Sequence, residues 1–441
     1  MIVPHNTLTS STSREFLLAE LEIPVTAPCE ADAYLQLNGQ FQKQLKCYQG
    51  LASVRTAVGK TEQMILAIGL NQNPESDTAP PFIEVAQCID QLATECKGFW
   101  TFDPSALFLM ILPATGSDTQ TVAQLCQQRI TLFAKQIVTL GITFSPAGEN
   151  QPADVVSNAK KAARHASFLG PGASVVFDAV SLNISGDDFY RQGQIHPAIH
   201  EFEAGLRMDP QNTNLINSLG VCHAVSGDYP KARKAFQEVI VLDPNEVMAV
   251  YNLGLVMLLT GKREDALARF EAAESMDDSI FEIHFQKAKI YREQGQSDQT
   301  VTSLNRAIAI KPDAAAACRM LGDEMADQEK FIAAKRYYTQ ALRHRPNDAK
   351  ALSALGALYG KLNENLDLAE LYLTQSVAID PKDGNLFLAL GAFYKKIHRM
   401  KKAARAFQKA YALGMEKGRD EADQIRALEP ETDKSLQTIT S

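Results

Sequence analysis

The sequence predicts a multidomain protein. An N-terminal α+β domain, a mixed sheet with helices, is followed by an all-α superhelical solenoid. Two observations predict this organisation. Small, large and proline residues recur every 34 positions in the C-terminal half, and strand-length apolar runs alternate with amphipathic helices in the N-terminal half. With 441 residues, the chain is long enough for each part to bury a core of its own.

The repeat is marked most clearly by proline. Pro210 and Pro244 are 34 residues apart, and the same step continues along the chain, except that one residue is inserted near residues 361–367. The later marks are Asp278, Pro312, Pro346, Pro381 and Met415. A small residue lies 24 positions before each mark, or 25 before Pro381 because of the inserted residue: Gly186, Gly220, Gly254, Ala288, Gly322, Gly356 and Gly391. Alanine or threonine lies 12 positions before it: Ala198, Ala232, Ala266, Thr300, Ala334, Ala369 and Ala403. A large residue lies eight positions before it: Phe202, Phe236, Phe270, Leu304, Tyr338, Leu373 and Phe407.

These spacings predict pairs of antiparallel helices. A small residue in mid-helix is useful where another helix approaches closely. A large residue four places after an alanine packs over the next helical turn. The proline ends the second helix, because the residue before a proline is pushed out of the α region. One pair cannot bury its apolar face alone, so the stacked pairs share a continuous core.

The pattern resembles the tetratricopeptide repeat family, whose consensus places glycine, alanine, an aromatic residue and proline at these phases. The resemblance implies seven units over residues 179–417. Ala422, Ile425 and Leu428 share one helical face, which predicts a capping helix over residues 418–430. The polar residues 431–441 are expected to be a disordered tail.

The resemblance also implies a partner-binding groove, because the first helix of each pair lines a concave surface in this family. The groove residues expected here are Asn217, Met248, Tyr251, Asn252, Leu255, Phe285, Lys289, Arg292, Arg319 and Asp323. They suggest an apolar centre at Met248, Tyr251 and Phe285 beside a basic cluster of Lys289, Arg292 and Arg319. A peptide or helix with apolar side chains beside a carboxylate would complement them. The alternative is that these residues pack against neighbouring helices. The Lys/Asn clamp that some family members use for chaperone tails is not matched, since only Asn252 falls in place.

The N-terminal half reads as strands and helices in alternation. Residues 63–70 form an apolar strand, residues 98–113 two strands joined by a turn, and residues 138–146 and 173–178 two further strands. Amphipathic helices are predicted over residues 80–96, 118–137 and 152–172.

This order resembles the GGDEF (diguanylate cyclase) domain, and residues 106–130 and 153–178 carry most of the resemblance. The resemblance covers residues 31–178, and residues 1–30 are expected to be a flexible N-terminal segment. In that family the hairpin carries the glycines and acids of the signature, and the first strand ends in a metal-binding Asp. Here the hairpin reads Pro104-Ser105-Ala106-Leu107-Phe108, and the strand ends Gly69-Leu70-Asn71.

The replacement of these acids predicts an inactive domain with no cofactor. Two-metal phosphoryl chemistry needs carboxylates, and Asn71 and Ala106 are neutral. Asp103 could substitute if the alignment shifts by one residue. His196 and His200 share a helical face, but no third metal ligand follows at a suitable spacing, so they are expected to be exposed. The segment Val58–Thr61 (VGKT) lacks the earlier glycine of a phosphate-binding loop.

Composition narrows the class of partner. The net charge is −8, which argues against a general nucleic-acid binder, and no apolar run is long enough to span a bilayer. The seven cysteines have no C-x-x-C spacing and are expected to be reduced and buried. No secretory signal is evident, so a cytoplasmic location is expected.

The leading hypothesis is therefore a non-enzymatic adaptor or scaffold that binds a protein or peptide partner through the solenoid. Its N-terminal domain would be an inactive cyclase-like sensor or docking domain. Three alternatives stay open. The solenoid could serve only to hold the N-terminal domain in a homo-oligomer, the chain could be an active diguanylate cyclase regulated by its repeats, or the N-terminal domain could bind a nucleotide as a ligand.

Overall fold

The structure is a computed structural model that describes residues 63–70, 82–103, 107–114, 119–145 and 152–428. The predictions for residues 1–30, for Val58–Thr61 and for the tail from residue 431 lie outside the described residues. So do Asn71 and residues 104–106 of the predicted hairpin.

The N-terminal part is a five-stranded sheet with helices on both faces, as predicted. Its strands are β1 (Gln63–Leu70), β2 (Phe99–Asp103), β3 (Leu107–Pro113), β4 (Val138–Ser145) and β5 (Ser174–Val176). Its helices are α1 (Phe82–Glu95), α2 (Thr119–Ala134) and α3 (Pro152–Leu169). The strand order is β2-β3-β1-β4-β5. All neighbours are antiparallel except β4 and β5, which are parallel, so the sheet is mixed.

Strand β1 lies at the centre of the sheet and is covered on both faces, which explains its unbroken apolar sequence. Leu66 and Ile68 pack with residues of α1 and α2, and Ile65 and Ala67 pack with residues of α3. All four side chains are fully buried.

Helix α3 packs directly on the sheet at Gly141 in β4. A Cβ atom on Gly141 would lie 2.0 Å from the Ala163 nitrogen and 2.1 Å from the Ala159 oxygen. Both are backbone atoms of α3, so no side-chain rotation could relieve the overlap. The absence of a side chain at residue 141 therefore sets the distance between α3 and the sheet.

The C-terminal part consists of fourteen helices in seven consecutive pairs and one further helix. The first members of the pairs are α4 (Ala179–Arg191), α6 (Thr213–Val225), α8 (Val247–Leu259), α10 (Phe281–Glu293), α12 (Ala315–Asp327), α14 (Ala349–Leu362) and α16 (Gly384–Lys396). The second members are α5 (Ile195–Met208), α7 (Tyr229–Leu242), α9 (Arg263–Met276), α11 (Ser297–Ile310), α13 (Phe331–His344), α15 (Leu366–Ile379) and α17 (Met400–Ala412). The further helix is α18 (Glu416–Leu428), where a capping helix was predicted.

The predicted contact of a glycine with a large residue is confirmed in the first, second, fifth, sixth and seventh pairs. A Cβ atom on Gly220 would lie 2.7 Å from the Phe236 ring, and one on Gly322 would lie 2.6 Å from the Tyr338 ring. The fourth pair has a threonine in place of the usual alanine. The hydroxyl of Thr300 donates to the carbonyl oxygen of Gln296, the N-cap of α11, at 2.9 Å, so this polar group is satisfied locally.

The turn inside each pair uses a residue with positive φ that the sequence analysis missed. In the first four pairs it is Gly193, Gly227, Gly261 and Gly295, with φ between 70° and 80°. In the later pairs it is Glu329, Asn363 and His398, with φ of 57°, 57° and 59°. Glycine at the earlier turns avoids the steric cost that a Cβ atom brings in this region.

The chain divides into two compact units, Met1–Val256 and Met257–Ser441, and the division falls inside α8. The domain boundary predicted near residue 178 stays a prediction, but the two sides of that residue pack together. Lys161 of α3 forms an ion pair with Glu201 of α5 at 2.7 Å, and Arg164 of α3 pairs with Asp188 of α4 at 3.2 Å. Helix α3 thus covers the sheet with one face and the first helix pair with another.

Two adjacent acids of α4 have different environments. Asp188 contacts Arg164 and Arg191. Burial raises the pKa of Asp187 to about 7; the nearby Arg191 opposes this shift, and Asp188 adds to it. The folded state therefore favours the protonated form of Asp187.

We expect Asp187→Asn to raise the free energy of unfolding at pH 8 by roughly 2 to 4 kcal/mol and to change it little at pH 4. The pKa of this carboxyl is higher in the folded protein than its ordinary value of 3.8. Its contribution to stability is complete below that value and is lost as the pH rises toward 7. Urea unfolding at both pH values measures the difference. Asp188→Asn is the control, and it should lower the stability at pH 8 because Asp188 has two arginine partners. An equal effect of Asp187→Asn at both pH values would contradict the assignment.

We expect Gly141→Ala to destabilise the first unit by about 3 kcal/mol, because the new methyl group overlaps the backbone of α3. Thermal or urea unfolding followed by Trp100 fluorescence measures this change. Gly69→Ala in β1 is the matched control, since its nearest contact is the rotatable hydroxyl of Thr139 at 3.0 Å. Similar losses in the two variants would contradict the close approach of α3 to β4.

Candidate functional site

The candidate site is the surface of the first helices that carries the predicted groove residues, here called the inner face. The predicted residues fall into two sets, because α6 and the start of α8 belong to the first unit, whereas α10 and α12 belong to the second.

In the first unit, the predicted groove residues are buried. Tyr251 is fully buried, and Met248 and Leu255 are 4% and 6% exposed. The prediction of an open apolar centre at Met248 and Tyr251 is therefore wrong. Burial of these large side chains agrees with the alternative that the sequence left open, in which they pack in the protein and do not face a ligand.

The two asparagines of this set bond to each other. Asn252 of α8 donates from Nδ2 to Oδ1 of Asn217 on α6 at 3.2 Å, and both side chains are buried. A buried amide is stable only when its polar atoms find partners, and this pair supplies them across two successive first helices. Asn252 is therefore not part of an exposed clamp for a carboxylate.

In the second unit, the predicted residues on α10 remain half-exposed. The ring of Phe285 stacks on that of Phe281, with 5.4 Å between the ring centres and 20° between the planes. The ammonium group of Lys289 lies 4.7 Å from the centre of the Phe285 ring. This geometry gives a cation–π contact on a surface that solvent can reach.

The two arginines of the predicted basic cluster are held by acids of the same unit. Arg292 lies 3.3 Å from Asp323 and 3.7 Å from Asp327. Arg319 lies 3.7 Å from Asp323 and 3.5 Å from Asp348. The predicted site thus includes two acids that the sequence analysis missed. The four-residue spacing of Asp323 and Asp327 on one helix was a signal that could have found one of them.

Asp323 is the centre of this ion network. It also accepts a hydrogen bond from the hydroxyl of Tyr338 at 2.9 Å. Burial raises the pKa of Asp323 above its ordinary value, and the bond from Tyr338 and the charges of Arg292 and Arg319 oppose that shift. The arginines are therefore compensated, and a partner's carboxylate would have to compete with the acids already present.

At the sheet, the end of β1 lies beside the start of β3. Gly69 is opposite Leu107, and Asp103 of β2 is also opposite Leu107. The turn between β2 and β3, where the signature acids of a cyclase would stand, lies outside the described residues. Across the described parts of the chain, no group of three or more His, Cys, Asp or Glu side chains could hold a metal ion.

The remaining candidates are two histidines and the cysteines that the structure describes. His196 and His200 are exposed on α5. Among the cysteines that the structure describes, Cys88, Cys126, Cys222 and Cys318 are buried and Cys96 is half-buried. Burial raises the pKa values of Cys126 and Cys222 to about 12, so both thiols are protonated at neutral pH. No helix in the described ranges has the length and apolar character needed to cross a membrane.

Comparison with known proteins gives the same repeat. One tetratricopeptide repeat model matches residues 185–247 and 319–384, and a second matches residues 281–314. Superkiller protein 3 of Schizosaccharomyces pombe is 32% identical over 122 residues, which are 26% of this chain and 9% of that protein. Hsp70-Hsp90 organizing protein 1 of Glycine max is 25% identical over 188 residues, which are 40% of this chain and 32% of that protein.

The similarity covers only a small part of the first relatives. The chain spans 9%, 5% and 10% of the length of the first three. The crystal structure of MamA is 22% identical and matches 37% of this chain and 96% of its own, with a TM-score of 0.33, which is too low to add to the assignment. The residues that the tetratricopeptide repeat models match lie in the helix pairs of the C-terminal part, which is a helical solenoid that contains tetratricopeptide repeats.

Proposed function

We propose that the protein is an adaptor that binds a partner protein on the inner face of its second unit. The observation that carries the proposal is the half-exposed aromatic pair of Phe281 and Phe285. Exposed aromatic rings beside arginines are the usual anchors of protein interfaces. The surrounding charges are already paired, so a partner can cover this surface without leaving a charge of this chain buried and alone.

The chemistry of this face indicates what the partner presents. An apolar or aromatic side chain can pack on the Phe285 ring. Beside it, Arg292 and Asp323 offer both donors and acceptors, which suits a polar segment more than a purely acidic one. Tetratricopeptide repeats act in protein–protein interaction, and the name of the Glycine max relative describes a protein that organises two others.

For the N-terminal sheet and its helices, we propose a catalytically inactive, cyclase-like domain that serves in docking or sensing. The support is the order of its elements, with a central first strand and a hairpin beside it. The residues expected at the catalytic edge are neutral, as at Gly69, Leu70 and Asn71. Carboxylates to hold two metal ions are missing from these positions.

For the inner face, we expect Phe285→Ala combined with Arg319→Ala to weaken partner capture about tenfold or more, because loss of an aromatic and an arginine anchor is costly at an interface. The measurement is affinity capture from cell extract with quantitative mass spectrometry, followed by titration of the recovered partner. The control is Ile332→Ala, which removes a 91% exposed apolar side chain from a second helix of the same unit. If the double variant has a native circular dichroism spectrum and captures the partner as well as the unaltered protein, the inner face is not the binding surface.

For the sheet, we expect no cyclic dinucleotide when the protein is incubated with GTP and Mg²⁺ or Mn²⁺, because the acids that would bind the metal ions are absent. Chromatography of the reaction products measures this. Turnover that is lost in Asp103→Asn would establish the enzyme alternative instead. Calorimetry with GTP tests the remaining alternative, in which the domain binds a nucleotide without converting it.

A further inference from the structure

The first unit contains a cavity among three helices of the first two pairs. Its volume is about 460 Å³, and it is lined by residues of α5, α6 and α7. The residues that form its apolar part include Leu206 of α5, Ile216 and Leu219 of α6, and Ala235 of α7. None of the lining residues is a predicted groove residue, so the cavity is not part of the inner face. A cavity of this size with an apolar floor can enclose a side chain or a small molecule.

The repeat accounts for this cavity. Every helix pair except the second has a large side chain at the position of His223, three residues after the small residue of the first helix. The residues at that position are Phe189, Met257, Tyr291, Met325, Tyr359 and Tyr394. The second pair also has a small residue, Ala235, on its second helix beside the cavity. Two small side chains therefore face a space that is more fully occupied elsewhere in the repeat.

The sixth pair shows what fills the equivalent space. Tyr359 and Tyr372 hold the repeat positions of His223 and Ala235. Their ring centres are 6.3 Å apart, with 41° between the ring planes. Both rings pack against the apolar cluster that includes Leu355, which corresponds to a leucine of the cavity. The cavity of the second pair thus corresponds to a space that two aromatic rings fill in the sixth.

The lysines at the rim of the cavity suit an aromatic ring. Lys231 and Lys234 of α7 are exposed and line the cavity, and Lys231 also pairs with Asp228 at 3.0 Å. Lys234 has no ion pair in the part of the chain that the structure describes. An ammonium group attracts the face of an aromatic ring. The sixth pair provides an example, because the ammonium group of Lys335 lies 4.4 Å from the centre of the Tyr359 ring.

Two other side chains of the cavity can accept a hydrogen bond. His223 is half-buried, and burial lowers its pKa; Lys231 acts in the same direction, whereas Asp228 and Glu203 oppose the shift. The imidazole is therefore neutral at neutral pH, and its unprotonated nitrogen is an acceptor. Glu238 is exposed on α7 and also lines the cavity. A phenol hydroxyl can donate to either group.

We propose that this cavity binds a tyrosine side chain of a partner protein. The apolar floor and the size of the space select an aromatic ring, since two such rings fill the equivalent space in the sixth pair. The lysines attract the face of the ring, and the two acceptors suit its hydroxyl. The rim residues of α7 are exposed, so a side chain that projects from a partner's surface reaches the cavity. The site does not depend on the inner face of the second unit.

The probe is a five-residue peptide with a central tyrosine between glycine and serine residues and with both ends blocked. It is titrated against the full-length protein, and binding is followed by saturation-transfer difference NMR. We expect half-saturation at roughly 1 mM, because a single side chain supplies most of the contact. A peptide with leucine in place of tyrosine should bind about fivefold more weakly or worse, because it gains no cation–π contact.

We expect His223→Tyr to weaken binding of the tyrosine peptide about tenfold or more, because the new ring occupies the cavity. His196→Tyr is the matched control, since His196 is exposed on α5 and does not line the cavity. It should leave the affinity unchanged. Circular dichroism and thermal unfolding check that both variants are folded.

A second variant tests the rim without filling the cavity. We expect Lys234→Gln to weaken binding about two- to fivefold, which is the size of an exposed cation–π contact. Arg233→Gln is its control, because it removes the same charge from the adjacent residue, which is exposed and does not line the cavity. Equal weakening by the two variants would overturn the contact between Lys234 and the ring.

Four further results would overturn the inference. The first is no saturation transfer to the tyrosine peptide up to roughly 10 mM, which is too weak even for one side chain. The second is unchanged binding to a folded His223→Tyr variant. The third is equal affinity for the leucine and tyrosine peptides. The fourth is loss of binding in Phe285→Ala but not in His223→Tyr, which would place the peptide on the inner face and leave the proposed function standing.

A free aromatic molecule and a second copy of this chain are competing occupants. If p-cresol binds more tightly than the peptide, the cavity serves a small molecule, and the assignment to a partner is overturned. If the peptide dissociates an oligomer of the protein in sedimentation velocity, a second copy occupies the cavity, and the assignment is overturned as well. Weaker binding of p-cresol and a sedimentation coefficient that the peptide leaves unchanged support a tyrosine of a partner.

Discussion

The contact of a small residue in one helix with a large residue in the next is the interaction on which the solenoid depends. Gly220 and Gly391 meet the rings of Phe236 and Phe407 so closely that a methyl group on either glycine would overlap the ring. Removing such a buried ring costs about 3 to 5 kcal/mol. The contact also sets the separation of the two helices, and that separation decides which residues of the first helix reach the inner face.

On the inner face, residues at equivalent repeat positions differ in their exposure to solvent. Tyr251 and Phe285 hold equivalent positions 34 residues apart, yet Tyr251 is fully buried and Phe285 is half-exposed. Phe285 stacks on Phe281 and has Lys289 beside its ring. Asp323 and the neighbouring acids pair with Arg292 and Arg319. The surface therefore attracts a charged ligand less strongly than free arginines would. A surface of this kind gains selectivity from shape and hydrogen bonding more than from net charge.

Much of the fold could be predicted from the sequence, because the repeated residues act over short distances. The period of 34 placed the helix pairs, and the alternation of apolar runs placed the strands around β1. Burial on the inner face could not be predicted in the same way. Whether Tyr251 faces solvent depends on the residues of the surrounding helices, which periodicity does not describe. The prediction of a basic cluster missed the acids that pair with the arginines for a related reason. These acids, Asp327 and Asp348, lie outside the positions that the family pattern assigns to ligand contact.

Helix α3 belongs to the sheet and to the solenoid at once. Its contact with Gly141 closes one face of the sheet, and Lys161 and Arg164 reach α5 and α4. The chain is synthesised from its N-terminus, so most residues of the sheet leave the ribosome before those of the first helix pair. Helix α3 is then a surface on which the first pair can assemble. The sheet domain therefore gives the first helix pair a packing surface that no preceding repeat supplies.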